Sequence, residues 1–229
     1  MAVIRSLFIK KQMYIKTFGT IFLNLVKAIV VPIVLLSIMC GIICMKERLK
    51  GMEFQKLIEK RRTVRKYAEG NTVTKEDILA MVKAAQEAPS WKNSQTGRYY
   101  CVMDGADVAR FRQECLPEMN AGKCENAVLI ISTFVHDRAG FQKDGTADNE
   151  LGNGWGCYDL GLQNENLVLK AAELGYGSLI MGIRDADKIR GFLEIPQEET
   201  VVAVIAVGVP GEQPDRPKRK EVEEIVKFL

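Results

Sequence analysis

The sequence predicts an α/β domain in the broad sense, with irregularly alternating helices and strands and a mixed sheet. Residues 126–135 (NAVLIISTFV) and 200–209 (TVVAVIAVGV) are long apolar runs rich in β-branched residues, which is typical of central strands. Residues 74–87 and 155–174 instead place apolar side chains at helical spacing. The 229 residues suit one domain of ordinary size with an appendage.

The individual elements can be placed along the chain from periodicity and from turn signals. Thr74 and Asp77 mark a helix start, because a hydroxyl followed three residues later by a carboxylate is a variant of the capping box. Gly175-Tyr176-Gly177 ends the long helix. We predict helices over 53–60, 74–87, 106–116, 155–174, 185–193 and 222–228, the last of them short. Strands are predicted over 98–104, 126–135 and 200–209, and a short apolar segment over 178–183. The predicted connections include a loop over 88–98, a long loop over 136–156 and a polar tail over 210–220.

Composition excludes several functional classes. A net charge of +3 is too mild for a nucleic-acid-binding face, so no nucleic-acid partner is expected. Six scattered cysteines without a C-x-x-C pair, and a single histidine, argue against a disulfide framework and against a metal site. The cysteine usage fits a reducing cytoplasm. His136 follows an apolar run and is interpreted as a surface residue at the end of a strand rather than a catalytic base.

The first 51 residues have a different character from the rest. Residues 28–44 (AIVVPIVLLSIMCGIIC) carry no charge, and the apolar stretch extends over about 18–44 with Lys27 as its one charge. Such a length predicts a transmembrane helix and hence membrane anchoring. A cleaved signal peptide fits less well, because the apolar region starts late and no small-x-small site follows it. A buried soluble helix remains an alternative. Flanking positive charges favour neither orientation clearly.

Residues 16–42 resemble an early membrane helix of the dicarboxylate/amino acid:cation symporters, in which a Gly-x-x-Phe-x-x-x-Leu lead runs into Val-Val-Pro-Ile. The match contains none of the substrate-binding hairpins of that family, and one helix cannot build a transport pathway. A membrane transporter component is therefore the weakest alternative. Residues 1–51 are interpreted as an appendage, a fusion or the product of a misplaced start, and residues 52–229 as the functional domain.

The segment Arg61-Arg62-Thr63-Val64-Arg65-Lys66-Tyr67 concentrates groups that bind phosphate. The planar guanidinium of arginine presents a fork of donors to phosphate oxygens, and the threonine hydroxyl adds another donor. The alternative is a solvated basic segment at the end of a short helix.

Four motifs in the same order resemble those of the FMN-dependent nitroreductase family over residues 54–229. The family begins with Arg-Arg-Ser-x-Arg-x-Phe/Tyr, which 61–67 matches with a conservative threonine. Ala-Pro-Ser-x-x-Asn-x-Gln is matched by 88–95, and Leu-Gly-x-Gly-Ser/Thr by 174–178. The last strand ends in Val-Gly-x-Pro, and a basic element near Arg219 follows. Two departures are the Thr96-Gly97 pair, where the family usually has Pro-Trp, and Pro217, where a closing Lys-x-Arg motif usually begins.

The resemblance implies an α+β fold with a mixed central sheet flanked by helices, in an intertwined homodimer that holds FMN at two interfacial sites. The phosphate and ribityl chain would contact Arg61, Arg62 and Thr63, and Arg65 would approach the pyrimidine edge of the flavin. The implied remaining FMN-binding residues are Pro89, Ser90, Trp91, Asn93 and Gln95 from the partner subunit, backbone groups near Met181 and Gly182, and Lys218 with Arg219.

The implied function is a flavin oxidoreductase that takes electrons from NADH or NADPH by a ping-pong mechanism and reduces nitroaromatics, quinones or similar small-molecule acceptors. No side chain has a dedicated catalytic role, because the cofactor carries the chemistry. The alternative, a module that stores or senses FMN without turnover, would use the same residues. The catalytic domain is expected to be cytoplasmic, and anchored to a membrane if 18–44 is retained.

Overall fold

A computed structural model of the chain describes residues 53–70 and 72–229. The described residues form one compact unit. Its α-helices are α1 (Phe54–Lys60), α2 (Lys75–Gln86), α3 (Gly105–Cys115), α4 (Glu118–Ala121), α5 (Gly154–Glu173) and α6 (Ala186–Leu193); its strands are β1 (Gly97–Val102), β2 (Val128–Val135), β3 (Gly177–Met181) and β4 (Glu199–Gly208); and short 3-10 helices cover Trp91–Asn93, Gly122–Cys124 and Val222–Glu224. The predicted capping box is confirmed, since Thr74 and Asp77 bond reciprocally at the start of α2.

The four strands form one sheet in the order β1-β2-β4-β3. Every pair of neighbouring strands is antiparallel. The prediction of a mixed sheet was therefore wrong for these strands, and within the described ranges parallel pairing is confined to a single bridge between Thr63 and Ser178. Unbroken apolar runs are common in parallel sheets because both faces are covered. Here helices cover both faces of an antiparallel sheet, which produces the same pattern.

Alternate residues of the central strands point to two separate cores. Leu129 and Ile131 of β2 belong to a cluster with the buried side chains of α3 and α6. Val128 and Ile130 belong to the other cluster, with residues of α2 and α5. The strand period of two thus gives each face of the sheet its own helical layer. All β2 residues except Val135 are buried.

Several predicted boundaries differ from the structure. The segment over 178–183 is an edge strand, β3, and the loop over 88–98 contains a 3-10 turn before β1 begins at Gly97. The expected helix over 222–228 was wrong, because only Val222–Glu224 is helical. Three residues are too few for an apolar face, and Val222, Ile225 and Phe228 are exposed in the chain.

The predicted membrane segment, 18–44, and its symporter-like sequence lie outside the described residues. Within 53–70 and 72–229, no helix combines the length and the apolar character that crossing a bilayer requires.

Candidate functional site

The basic segment 61–67 lies beside the sheet, against β3 and the chain that leaves β4. Val64 N–H donates to the carbonyl of Ser178 at 3.0 Å, and Ala68 N–H donates to the carbonyl of Val209 at 3.0 Å. A Cβ at Gly177 would lie 2.7 Å from Cγ2 of Val64, so only glycine permits this approach. The segment is therefore held along its length by the fold.

Two buried side chains orient the basic residues. Val64 and Tyr67 are 3% and 7% exposed, and both pack in the core. The Tyr67 hydroxyl donates to the carbonyls of Val64 at 3.0 Å and Ala206 at 3.3 Å. Burial is the main cause that raises the Tyr67 pKa far above its usual value, so the phenol is neutral. With these anchors inside, Arg61 and Arg62 stay half-buried and Arg65 is exposed.

A small cavity of about 190 Å³ is the point where the predicted phosphate-binding residues meet. Arg61, Arg62, Thr63 and Arg65 line it from one side, and Arg219 lines it from the C-terminal tail. The structure thus brings together five residues predicted from two motifs more than 150 positions apart. Within the described chain, none of these four arginines forms an ion pair with a carboxylate. Such unneutralised guanidinium groups suit an anion.

Arg62 is held in place by backbone acceptors. Its Nη1 donates to the carbonyl of Glu59 and, at 2.8 Å, to the carbonyl of Arg61. These bonds use one nitrogen of the guanidinium and leave the others free to donate elsewhere.

The tail contributes a residue that the sequence prediction missed. Arg216 lines the small cavity together with Asp215 and Pro217, whereas Lys218 does not. The sequence did carry a signal for Arg216, because Arg216 and Arg219 form an Arg-x-x-Arg pattern in a segment with three prolines. An extended proline-rich chain presents every third residue on about the same side. The positions that share this cavity are 216 and 219, rather than 218 and 219.

A wider cleft of about 840 Å³ lies beside the small cavity and shares Arg61, Arg62 and Pro214 with it. Its walls include Tyr176, Gly177 and Glu212. The two spaces together place a cationic end next to a larger volume of mixed polarity. A cleft of this size with a few charged groups at one end is typical of sites for small molecules.

The loop predicted to contact the flavin ring lies elsewhere in the chain. Pro89, Ser90, Trp91, Asn93 and Gln95 line neither of the two spaces that contain Arg61. Met181 is buried in the core, Gly182 is exposed just after β3, and neither residue lines those spaces. A single chain therefore holds the predicted phosphate-binding residues in one place and the other predicted residues apart from them.

The loop over 89–95 is nevertheless held in place by hydrogen bonds and by a ring contact. Trp91 N–H donates to Asp159 Oδ2 at 2.8 Å, and its indole Nε1–H donates to Asp148 Oδ2 at 3.1 Å. Trp91 also packs against Trp155, with ring centroids 4.3 Å apart and ring planes tilted by 41°. Lys92, Asn93 and Gln95 all have positive φ angles, between 48° and 54°. Non-glycine residues in this region carry backbone strain, which clusters at functional sites.

Other reactive groups are not arranged for catalysis in the described chain. His136 is a partly exposed residue just after β2, as predicted. Its Nε2 lies 3.6 Å from Oδ2 of Asp137. Desolvation raises the pKa of all four described cysteines, to about 11 for Cys101, Cys115 and Cys124, so these thiols are protonated at neutral pH. No group of three or more metal-ligating side chains occurs within the described ranges.

Comparisons with known proteins agree with this architecture. Residues 58–209 match the model of the "Nitroreductase family". A curated relative from Archaeoglobus fulgidus, named "Putative NADH dehydrogenase/NAD(P)H nitroreductase", is 27% identical over 172 residues, which cover 71% of this chain and 88% of the relative.

Two solved structures are also similar. A BluB-like flavoprotein from Clostridium difficile 630 is 32% identical with a TM-score of 0.64, and the match covers 78% of this chain and all of that one. A structure described as an oxidoreductase containing FMN is 28% identical with a TM-score of 0.58, covering 68% of this chain and 76% of the other. The family model spans well over half of the sequence, and the chain therefore belongs to the nitroreductase family and is an oxidoreductase.

Proposed function

We propose that the protein is an FMN-dependent oxidoreductase that takes electrons from NADH or NADPH and passes them to a small electrophilic acceptor such as a nitroaromatic or a quinone. The observation that carries the proposal is the small cavity between the basic segment and the tail, where Arg61, Arg62, Arg65 and Arg219 converge and none of their guanidinium groups forms an ion pair with a carboxylate of the described chain. The relatives named as an NAD(P)H nitroreductase and as an oxidoreductase containing FMN support the same chemistry.

The residues present fit a phosphate group. Five arginine residues line the small cavity, counting Arg216, and one acidic residue, Asp215, lines it with them. A phosphate monoester carries up to two negative charges near neutral pH and can accept from several N–H donors at once. The hydroxyl-bearing Thr63 lies in the same wall. The excess positive charge would stabilise the bound dianion, and the fold has already fixed the segment that carries it.

The remaining residues have positioning roles in this proposal. FMN, when bound, supplies the redox chemistry by accepting a hydride and passing electrons to the acceptor. Arg61, Arg62, Thr63 and Arg219 would hold its phosphate, and Arg65 would place a positive charge near the flavin. Fixed positive charge of this kind stabilises negative charge that develops during a reaction. No acid or base of the described chain is assigned a role.

The proposal includes a homodimer. Trp91 and its neighbours in the loop 89–95 line neither space that contains the arginines, so one chain by itself leaves those predicted contacts unmet. A second copy would supply them. Hydrogen bonds from Trp91 to Asp159 and Asp148 hold the loop in place before a second copy binds, which suits this role. A cytoplasmic location, with membrane anchoring through 18–44, remains part of the proposal and concerns residues outside those described.

An absorbance spectrum and two ligand titrations test the proposal. The purified full chain should be yellow, and NADH or NADPH should bleach it under anaerobic conditions. FMN should bind much more tightly than riboflavin, which lacks the phosphate. Arg219→Ala should weaken FMN binding about 10-fold or more and leave riboflavin binding unchanged, because a hydrogen bond to a charged group contributes roughly 1.5–3 kcal/mol.

Two outcomes would contradict parts of the proposal. A colourless chain that takes up no added FMN would contradict the flavin site. Tight FMN binding without oxidation of NADH or NADPH by any acceptor would instead identify a module that stores or senses FMN.

A further inference from the structure

Two carboxylates from different parts of the chain hold Trp91, one by its backbone and one by its side chain. We propose that these residues, Asp159 and Asp148, are positioning residues, which fix the loop over 89–95 so that it contacts the flavin held by the arginines of a second copy. The inference rests on the proposed function. It adds a role for two acidic residues that line neither space containing Arg61.

Asp159 holds the backbone of the loop. Its Oδ2 accepts a hydrogen bond from Trp91 N–H at 2.8 Å. Asp159 lies on α5, one turn after Gly156, where the helix packs so closely on Phe134 of β2 that a Cβ would not fit. The anchor is therefore part of the core rather than of the loop that it holds.

Asp148 holds the side chain of Trp91. Its Oδ2 accepts from the indole Nε1–H at 3.1 Å and from Lys92 Nζ at 2.8 Å. Asp148 lies in the chain before α5, where its own N–H donates to the carbonyl of Gly140 at 2.7 Å. The segment before α5 and α5 itself thus fix the orientation of Trp91 from two sides.

Asp159 is unfavourable for stability at its position. It is 3% exposed and forms no ion pair with any described residue. Burial raises the pKa of its carboxyl, and the hydrogen bond from Trp91 N–H opposes this effect. A buried carboxylate without a cation is often replaced by an apolar side chain with a gain in stability. Its presence is therefore better explained by what it holds, and shifted pKa values of this kind cluster at functional sites.

The loop requires such anchors because its backbone is strained. Lys92, Asn93 and Gln95 have φ angles between 48° and 54°, and these conformations persist only where the surrounding structure over-determines them. The side chains of Asn93 and Gln95 are exposed, and Gln95 Nε2 donates to Asn93 Oδ1 at 3.2 Å. The anchored loop thus presents two amide groups outward in a fixed arrangement, which reduces the entropy lost when a partner binds them.

Ligand titrations of the purified full chain separate this role from that of the arginines. Asp159→Ala should weaken the binding of FMN and of riboflavin by the same factor, about 10-fold, because the loop is expected to contact the ring and not the phosphate. Arg219→Ala should weaken FMN binding alone. Asp159→Asn keeps an oxygen that accepts from Trp91 N–H, so both affinities should change less than about 3-fold.

The matched control is Asp144→Ala. Asp144 is exposed in the same stretch as Asp148, but its carboxylate bonds to Thr146 N–H and not to the loop over 89–95. This variant should leave the affinities for FMN and riboflavin unchanged. Asp148→Ala removes the second anchor and should weaken both by about 3-fold to 10-fold, so it carries the test if Asp159→Ala does not fold.

Mixed dimers, coexpressed with two affinity tags, decide whether the carboxylate acts across copies. In a dimer of one Asp159→Ala chain and one Arg219→Ala chain, both changes fall in the same flavin site if the loop and the arginines come from different copies. The other site is then intact and should bind FMN with wild-type affinity. Weak binding at both sites would show that Asp159 acts only within its own chain, which would overturn the proposal.

The remaining outcomes distinguish this inference from the proposed function. Wild-type affinities in both alanine variants, or a monomeric protein that binds FMN, would overturn the inference and leave the flavin site in place. A wild-type chain that takes up no FMN would overturn the proposed function, and the inference with it.

Discussion

The backbone N–H of Arg65 donates a 2.9 Å hydrogen bond to Oε1 of Glu212. Next to it, Gly211 N–H donates to the carbonyl of Lys66 at 2.8 Å. These two bonds join the basic segment to the start of the tail that carries Arg216 and Arg219. A carboxylate thus lies close to a predicted anion site, where its charge opposes ligand binding and its hydrogen bond supports the architecture.

The first prediction separates these two effects of Glu212. Glu212→Gln keeps an oxygen that can accept from Arg65 N–H and removes the negative charge, so FMN should bind equally or more tightly. Glu212→Ala removes the acceptor and frees the tail, so FMN binding should weaken about 10-fold. Titration of protein fluorescence with FMN measures both. If both variants bound FMN more tightly to the same extent, Glu212 would act only through its charge.

The second prediction concerns the residue of the tail that the sequence prediction missed. Arg216→Ala should weaken FMN binding about 10-fold, because Arg216 lines the small cavity. Lys218→Ala removes the same charge two positions away and serves as the matched control. It should change FMN affinity less than 2-fold, since an exposed charge outside the cavity is screened by salt. The opposite order of the two effects would restore Lys218 to the site.

The third prediction tests the close packing of α5 against the sheet. A Cβ at Gly156 would lie 2.3 Å from the ring of Phe134, which is 1% exposed and cannot move aside. Gly156→Ala should therefore destabilise the fold by about 1–3 kcal/mol. Gly161→Ala, in the same helix, meets nothing within 4 Å. It should stabilise the fold by up to about 1 kcal/mol, because alanine favours helix more than glycine does. Urea unfolding measures both, and equal effects would contradict the packing argument.

The fourth prediction follows from the capping box of α2. Hydrogen bonds to its carboxylate lower the pKa of Asp77, and the bond from the Thr74 backbone N–H has the largest effect. The Tyr176 hydroxyl also donates to Asp77 Oδ2 at 2.8 Å. The stabilisation by the carboxylate is therefore fully present above the unfolded-state pKa, about 3.9, and is lost as pH falls through the lower folded-state pKa. Asp77→Asn should destabilise the protein by about 1 kcal/mol at pH 7.

The pH dependence provides the check on this assignment. The difference between wild type and Asp77→Asn should shrink as pH falls below about 4, because the wild-type carboxyl becomes neutral. Glu76→Gln, one residue earlier on the same helix turn, is the control and should change stability by less than about 0.5 kcal/mol. Urea unfolding at several pH values measures all three proteins. A difference that is independent of pH would show that the charge of Asp77 is unimportant.

Local patterns predicted the elements well where one physical signal dominated. The buried strands β2 and β4 follow from β-branched apolar runs, and the start of α2 follows from Thr74 and Asp77. The signal was weaker where short elements depend on their neighbours. Residues 118–124 form two short helical turns that sequence periodicity did not indicate, and 222–228 did not form the predicted helix. Helices of a few residues cannot be identified by periodicity.

The sequence by itself determined the family, the basic segment at 61–67 and the order of the motifs, because these depend on residue types at fixed spacings. Only the tertiary structure decided that the strands pair antiparallel, since apolar runs report burial on both faces and not the direction of the neighbour. It also decided that Arg216 rather than Lys218 shares a cavity with Arg61 and Arg219, and that the buried hydroxyl of Thr96 has no hydrogen-bond partner among the described residues. Each of these depends on which distant segments meet, and such long-range contacts leave no periodic signal in the sequence.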